Sequence, residues 1–562
     1  MNAERLLTLF ERVADAPGAV GRLRELLLDL AVQGKLASQD RQDEPADQLL
    51  CRIEKAIRDA GGKPSSTKAI SDPPFSIPST WAWTQLARIG EISPRNDCED
   101  DRITAFIPMP LIFSELGRKN EHEPRPWGEI KKGYTHFAEG DVGLAKITPC
   151  FENGKSTIFE NLSGGIGAGT TELHIVRPYL IDPQFILIFL KSPHFIKSGI
   201  PKMTGTAGQK RIPRDYFAYS PFPLPPLAEQ HRIVQRVDEL MALCDQLEAA
   251  QTTRDQHRDR LNTAALKRLV DAEPGDESRE TACFYLNRLP RVVRTVEQVK
   301  ALRQTVLDLA VRGKLVVQVE AERTTLESEL KKFNDLPSQW KMVTIGDLLR
   351  ENSQNGFSRK PDNDPQGTPI LKISAGTING DFSIAESEHK LIGGIAKDIW
   401  KKFSLEKGDL LACRFNGNRS FVGRLSIFLD QSNISPIYPD KLIRLRVKTD
   451  LVVPELLCYF AGSDLGRADI EKYCATTVGN WGISASNLKK VYIPLPPYAE
   501  QPHIVNKVRK LWALCDELHT AIQTRRTTTT RLLDALIAEA ISDNRRAPNP
   551  IHPHPITQEI TP

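Results

Sequence analysis

The chain has 562 residues, of which 40% are hydrophobic and 26% charged, with a formal net charge of +4. That is an ordinary globular balance, enough for three or four domain-sized cores. The net charge is too mild to mark a nucleic-acid binder, and no apolar run reaches the roughly 20 residues that span a bilayer. Residues 1–36 read as a helical repeat, with the helix near 4–36 and Gly34 placed to terminate it. Residues 37–76 read as a connector. A variable domain follows at 77–222, with Gly, Pro, Asn and Ser turns between short apolar runs. Strands are expected at 142–147 and 173–176 and a helix at 183–190. A long helix is expected at 223–273, where Ile233, Val234, Val237, Leu240, Leu243, Cys244 and Leu247 form an amphipathic seam.

A second connector at 274–294 leads to a helical repeat at 295–315, with Gly313 in the place of Gly34. After a connector at 316–335 comes a second variable domain, 336–493, with strands expected at 410–414, 422–428 and 442–447 and a helix at 454–461. A second long helix, 494–543, has its seam at Ile504, Val505, Val508, Leu511, Leu514, Cys515, Leu518 and Ile522. Pro225–Pro226 and Pro496–Pro497 stop the chain before each long helix, and proline is tolerated in a first turn but not beyond it. The proline-rich tail, 544–562, is expected to be disordered.

The second half of this order repeats the first. LRELLLDLAVQGKLASQ at 23–39 returns as LRQTVLDLAVRGKLVVQ at 302–318. PLPPLAEQHRIVQRVDELMALCDQL at 223–247 returns as PLPPYAEQPHIVNKVRKLWALCDEL at 494–518. Each pair shares well over half its residues. Weaker echoes survive between the variable domains: 77–81 answers 336–340, Gly140-Asp141 answers Gly408-Asp409, and 173–177 answers 442–446. The fold class expected is α+β: two related α/β domains separated by two long helices. A lone long helix with an apolar stripe needs a partner, so the two are expected to pack antiparallel. Pro502 stands in the second long helix where His231 stands in the first, which leaves that helix's start open.

Signals for chemistry are few. The nine cysteines, Cys51, Cys98, Cys150, Cys244, Cys283, Cys413, Cys458, Cys474 and Cys515, are scattered without a C-x-x-C pair. They read as reduced thiols, not as a zinc site or disulfide framework. With no signal-peptide layout at the start, a cytoplasmic location is expected. Asp72-Pro73-Pro74-Phe75 mimics the D-P-P-[YFW] motif of DNA methyltransferases, but no glycine-rich cofactor loop between a strand and a helix accompanies it. Residues 164–169, GGIGAG, precede a strand pattern and so read as a turn, since a phosphate cradle needs a helix N-terminus there. No Walker loop and no H-E-x-x-H occurs. Lys191, Lys197, Lys202, Lys210, Arg211 and Arg214 form a basic run with no acidic residue between them; it reads either as a solvated face or as a local patch for an anionic partner.

The doubled P-L-P-P-x-A-E-Q-x-x-I-V segment, the doubled L-D-L-A-V-x-G-K-L segment and the two dissimilar domains between them resemble the specificity subunits of type I restriction–modification enzymes. The resemblance covers about 4–542. It implies a non-catalytic protein whose two variable regions are target-recognition domains, each binding one half of an asymmetric, bipartite double-stranded DNA site. The helices would set the spacer and dock two methyltransferase subunits, with two motor-nuclease subunits joining them. S-adenosylmethionine, ATP and Mg would belong to those partners, with no cofactor and no metal in this chain. A helix of ~40 residues spans ~60 Å, more than the ~34 Å of one DNA turn.

Side chains suited to phosphates and base edges nominate Lys146, Asn153, Lys155, Gln209, Lys210, Arg211 and Arg214 in the first domain. In the second they nominate Arg414, Asn416, Asn418, Arg419, Asn480, Trp481 and Lys489. Lys146 and Arg414 occupy matching places after the Gly-Asp doublets. The A-E-Q segments, Ala228, Glu229, Gln230 and Ala499, Glu500, Gln501, are the expected partner-docking residues. Two other readings stay open at this point: a stand-alone adenine methyltransferase built on D-P-P-F, and a coiled-coil scaffold with no role on DNA.

Overall fold

A computed structural model describes residues 13–61, 70, 72–206, 208–273, 275–316, 336–477 and 479–542. The first residues of the expected N-terminal helix, nearly all of the connector at 316–335 and the tail at 544–562 lie outside that set. The fold is α+β. Four helices frame it: α1 (Ala19–Val32), α2 (Leu227–Asp271), α3 (Val296–Val311) and α4 (Gln501–Ser542). The chain divides into two compact units, one made of 1–253 with 526–562, the other of 254–525. Both α2 and α4 therefore contribute one stretch to each unit.

In the first unit, α1 packs on the start of α2. Val20 and Leu27 are buried with Cys244, Arg24 donates to Asp245 and Glu248 at 2.7 Å each, and Gln251 donates to the Ala14 carbonyl at 3.1 Å. Rising numbers on α1 meet falling numbers on α2, so the two run antiparallel. The end of α4 runs the other way: Arg22 pairs with Asp534, and Lys35 Nζ donates to the Ile541 carbonyl at 2.9 Å. The second unit repeats this with the long helices exchanged. Gln298 donates to Asp259 at 2.6 Å, and Lys314 Nζ donates to the carbonyls of Val270 and Ala272 at 2.8 and 2.9 Å, so α3 is parallel to α2. Arg303 pairs with Asp516, while Val306 and Ala310 share a core with Ile504, Val505 and Val508, so α3 is antiparallel to α4. Within each unit, α2 and α4 are thus antiparallel, as expected, but their two seams do not meet: Ile233 and Val237 enter the first sheet domain's core, Cys244 packs on α1, Cys515 lies beside Ala265 and Leu266, and the seam residues Leu243 and Leu514 are exposed.

The cap chemistry repeats too. α1 ends at Gln33 and α3 at Arg312. The next residues, Gly34 and Gly313, have φ of +69° and +70°, the left-handed conformation that glycine adopts without a steric cost. A Cβ on Gly34 would also meet Pro78 Cγ at 2.6 Å, and one on Gly313 would meet Pro337 Cγ at 2.4 Å. The long helices differ at their starts. α2 begins at Leu227 with an N–H donation from Gln230 to the Pro226 carbonyl, 3.0 Å. Pro502 has no N–H to continue such a ladder. The chain there makes tighter turns, Glu500 to Pro497 at 2.9 Å and Gln501 to Tyr498 at 3.3 Å, and α4 starts at Gln501, three residues later in register.

Two stretches read as connectors are helical. Ala46–Asp59 is a helix that buries Leu49, Leu50, Ile53 and Ile57 in the first unit's core. Asp276–Val292 is a helix whose Tyr285 is buried and donates to Asn262 at 2.7 Å. Their apolar spacing of three and four residues places one face inward.

Each unit carries a sheet domain. In the first, four antiparallel strands lie in the order Gly90–Ile92, Leu173–Pro178, Val142–Ala145, Ser156–Ile158. The second has the counterpart order Gln354–Asn355, Leu442–Leu445, Leu410–Cys413, Leu425–Ile427. A helix follows the second strand of each list, Pro183–Lys191 and Pro454–Gly462, with the buried apolar faces expected of both. A two-stranded clasp closes each domain where the chain enters and leaves: Ala82–Thr84 with Phe222–Leu224, and Lys341–Thr344 with Tyr492–Leu495. The first domain adds a second sheet, ordered Glu123–Pro126, Ile103–Ile107, Ile166–Gly169, Thr135–Ala138. The glycine-rich stretch, read from the sequence as a turn over 164–169, turns only at Ser163–Gly165; Ile166–Gly169 is a strand of this sheet, where the missing side chains let Ile103–Ile107 and Phe137 approach. The second domain has a separate ribbon of Thr368–Leu371 and His389–Ile392 instead.

Candidate nucleic-acid interface

The central strand of each domain leads into a second, smaller ribbon, and most of the nominated polar residues gather there. In the first domain the chain leaves Val142–Ala145 through Lys146. The Lys146 carbonyl accepts the Ile212 N–H at 2.8 Å, and the Lys210 carbonyl accepts the Thr148 N–H at 2.9 Å. Arg211 is bridged to Ile147 on one side and Thr204 on the other. In the second domain Phe415–Asn416, Asn480–Gly482 and Ala475–Thr477 form a three-stranded ribbon. There the Arg414 carbonyl accepts the Ile483 N–H at 3.0 Å. Lys146 and Arg414 are therefore structural counterparts, as their places after the Gly-Asp doublets predict.

The side chains divide by how much of each is engaged inside the protein. Gln209, Lys210 and Asn153 are exposed. Arg211 donates to both oxygens of Glu172 at 2.8 to 3.2 Å, which holds that carboxyl below its usual range. Lys155 reaches the Met109 carbonyl at 3.2 Å, and Arg214 the Ile92 carbonyl at 3.3 Å. The basic run is not one face, because Lys191 is interior. It donates to the carbonyls of Ser114 and Gly154 at 2.8 and 3.1 Å, and burial pushes it down to about 7. Its role is to tie down the 146–155 loop.

In the second domain Arg414 lies 4.8 Å from the centre of the Phe415 ring and donates to the Asp440 carbonyl at 3.2 Å. Asn416 and Asn418 shape their own loop: the first accepts the Asn418 N–H at 2.8 Å, the second the Ser420 N–H at 3.0 Å. Arg419 donates to the Glu471 carbonyl at 2.8 Å and sits 4.6 Å from the Trp481 ring centre. Asn480 is exposed at the ribbon's end. Lys489 is on a different element, at the end of the helix Ala485–Leu488, where its carbonyl accepts the Gly346 N–H at 3.0 Å. Sequence reasoning missed Arg467, which donates to the carbonyls of Val422 and Arg419 at 2.8 and 3.2 Å and holds the 414–424 loop. It also missed Arg424, whose burial and proximity to Arg467 hold its guanidinium below its usual range. Nothing in their local spacing marked either one.

The A-E-Q segments are placed otherwise than their expected docking role requires. Gln230 is fully buried; it accepts the Asp182 N–H and donates to the Pro225 carbonyl, both at 3.0 Å. Gln501 repeats this, accepting the Val453 N–H at 2.7 Å and donating to the carbonyls of Leu451 and Pro496 at 3.0 and 3.1 Å. Glu500 accepts the indole N–H of Trp340 at 3.2 Å, and Glu229 is buried at the matching position with its pKa raised by burial. Only Ala228 and Ala499 face solvent. The two glutamines join sheet domain to long helix from the inside, because a carboxamide can both accept an N–H and donate to a carbonyl left open near a helix start, and Glu500 adds the link to Trp340.

The ring of Phe75 packs 5.0 Å from Trp83 and 5.1 Å from His194. Among the described residues no helix is long and apolar enough to cross a membrane.

Comparison with known proteins follows the same outline. Residues 337–525 match the type I restriction modification DNA specificity domain. The chain is 36% identical to the specificity subunit of the type I restriction enzyme EcoEI of Escherichia coli, over 93% of this chain and 94% of that one. It is 35% identical to the EcoAI specificity subunit of Escherichia coli, with the same coverage. A crystal structure of the HsdS subunit from Thermoanaerobacter tengcongensis aligns with a TM-score of 0.46 and 19% identity, covering 84% of this chain and 99% of that one.

Proposed function

Because this chain belongs to the family of type I restriction–modification specificity subunits, we propose that each of its sheet domains binds one half of an asymmetric, bipartite DNA site. The chain is the specificity subunit of a type I restriction–modification system, a non-catalytic component whose partners are DNA and the modification subunit. The observation that carries the bipartite reading is the matched pair of ribbons. One backbone design, hung on counterparts Lys146 and Arg414, presents different side chains in the two domains. A repeated scaffold with unlike contact residues reads two unlike half-sites. Phosphate contacts from Lys146, Lys155, Lys210, Arg214 and Lys489 position the domains, and base-edge contacts from Asn153, Gln209, Arg211, Arg414, Asn416, Asn418, Arg419, Asn480 and Trp481 specify.

The long helices set the spacer and dock two methyltransferase subunits, which use S-adenosylmethionine. Two motor-nuclease subunits, which use ATP and Mg, complete the assembly in the cytoplasm. Docking falls to the outer faces of α2 and α4, since the A-E-Q glutamates and glutamines are interior. Leu243 and Leu514 support this: they occupy the same place in the doubled segment and are 56% and 58% exposed.

Selection from random-sequence DNA, with the chain assembled with its methyltransferase partner, tests the reading. The expected product is two defined blocks separated by a fixed gap of unspecified sequence. One continuous block, or no enrichment, overturns it. Methyl transfer by the chain alone would restore the stand-alone enzyme.

A further inference from the structure

The two ribbons end alike. Gly208 and Gly479 turn the backbone with φ of +81° and +79°. Beyond the turn, Arg211 is bridged to Thr204 in the first domain, and Gly482 pairs with Ala475 in the second. The next residues, Ile212 and Ile483, donate to the carbonyls of Lys146 and Arg414. This register makes Gln209 the counterpart of Asn480, and Lys210 the counterpart of Trp481.

The first of these pairs is alike in chemistry. Both residues are carboxamides, both follow the glycine of the turn, and both are exposed. The second pair is unlike: a lysine in one domain, and in the other an indole that Arg419 approaches to 4.6 Å from its ring centre. A side-chain amide offers a donor and an acceptor in one plane, the pattern that pairs with N6 and N7 of adenine in the major groove, and that groove admits a two-stranded β-ribbon.

We infer that the tip of each ribbon enters the major groove of its half-site, and that Gln209 and Asn480 each read an adenine there. The inference rests on the two domains being DNA-reading heads. The shared carboxamide gives both half-sites an adenine at the corresponding place, while Lys210 and Trp481 help to make the flanking contacts differ.

The test repeats the random-sequence selection with the full chain in its methyltransferase complex, as wild type, Gln209→Ala and Asn480→Ala. Each variant should still enrich a bipartite motif. Each should lose adenine preference at one position of one half-site, with discrimination there falling roughly ten-fold or more, while the other half-site is unchanged. Asn480→Asp keeps the shape but removes the donor, and should exchange adenine for cytosine at that position, since a carboxylate accepts from cytosine N4. A wild-type chain that enriches no bipartite motif defeats the DNA reading itself. A normal wild-type motif overturns this inference alone if the alanine variants keep every base preference or weaken binding uniformly, or if Asn480→Asp still selects adenine.

Discussion

Asp409 accepts two hydrogen bonds from the guanidinium of Arg446, from Nε and Nη2, each 2.7 Å long, with the Glu406 N–H as a third donor at 2.8 Å. Asp141 does the same with Arg177, at 2.9 Å twice, and with the Ala138 N–H at 2.7 Å. Both carboxylates are 1% exposed. The Gly-Asp echoes in the sequence are thus turns locked by a buried ion pair beside the central strand. Asp409→Ala should destabilise the second unit by about 1.5–3 kcal/mol, because it removes two charge-assisted hydrogen bonds and the acceptor of the Glu406 N–H, while Arg446 keeps Glu351 and Glu406 as partners. Urea denaturation followed by the fluorescence of the domain's tryptophans measures it, and a loss under about 1 kcal/mol would contradict the account.

Gly313→Ala should cost about 1–3 kcal/mol, from a positive φ and from a Cβ driven into Pro337. Gly34→Ala should do the same in the first unit, against Pro78. By contrast, alanine at Gly140, which also has a positive φ but open space around its Cβ, should cost only the strain. Thermal melts of the three variants rank them.

Asp29 and Asp308 hold matching places on α1 and α3. Asp29 accepts the His194 N–H at 3.0 Å, and Asp308 accepts the Asp464 N–H at 2.9 Å, so each caps a helix of its sheet domain. Burial pushes both carboxyls up to about 6 from 3.8. Since the folded protein holds these protons more tightly than the unfolded chain, their contribution is full below about pH 4 and is lost as pH rises through about 6. Replacing both with Asn should remove that fall and leave a flatter stability profile between pH 4 and 7, measured by denaturant midpoints across the range. An unchanged slope would rule these two carboxyls out.

Arg414→Ala should weaken specific DNA binding by about 1–3 kcal/mol and leave binding to random DNA far less affected. A gel-shift titration with cognate and scrambled duplexes separates the two effects. Equal affinity of variant and wild type for the cognate site would remove Arg414 from the contact set.

Leu243→Asp and Leu514→Asp place a charge on the exposed, repeated leucines of the long helices. Each should remove one methyltransferase subunit from the assembly and the double variant both, read as stepwise mass loss by native mass spectrometry. Full occupancy in the double variant would move docking elsewhere.

The doubled segments made the frame legible: a repeat with period near half the chain dictates matched helices, whereas the apolar seams turned out to serve α1, α3 and the sheet domains, with Leu243 and Leu514 left exposed. Central strands were visible because 142–145, 173–176, 410–413 and 442–445 are short apolar runs beside turn signals. The helices Ala46–Asp59 and Asp276–Val292 were hidden by polar surroundings, although Leu49, Leu50, Ile53 and Ile57 already had helical spacing. The second sheet of the first domain has no echo in the other half to mark it. At the ribbons, residue type located exposed groups such as Gln209 and Asn480. It could not show that Arg211 is paired with Glu172, or that Arg467 reaches the loop from a distant helix, since both depend on contacts across 39 or more residues. The A-E-Q segments were kept alike in both copies, and that likeness reflects an internal joint as readily as an outer surface.

The bond from Lys35 to the Ile541 carbonyl bridges 506 positions. During synthesis the first-made half therefore cannot be completed until the last helix leaves the ribosome, whereas the later half is contiguous and closes sooner. A premature stop near codon 526 would strip the earliest-made unit of its closing helix and spare the one made just before the stop.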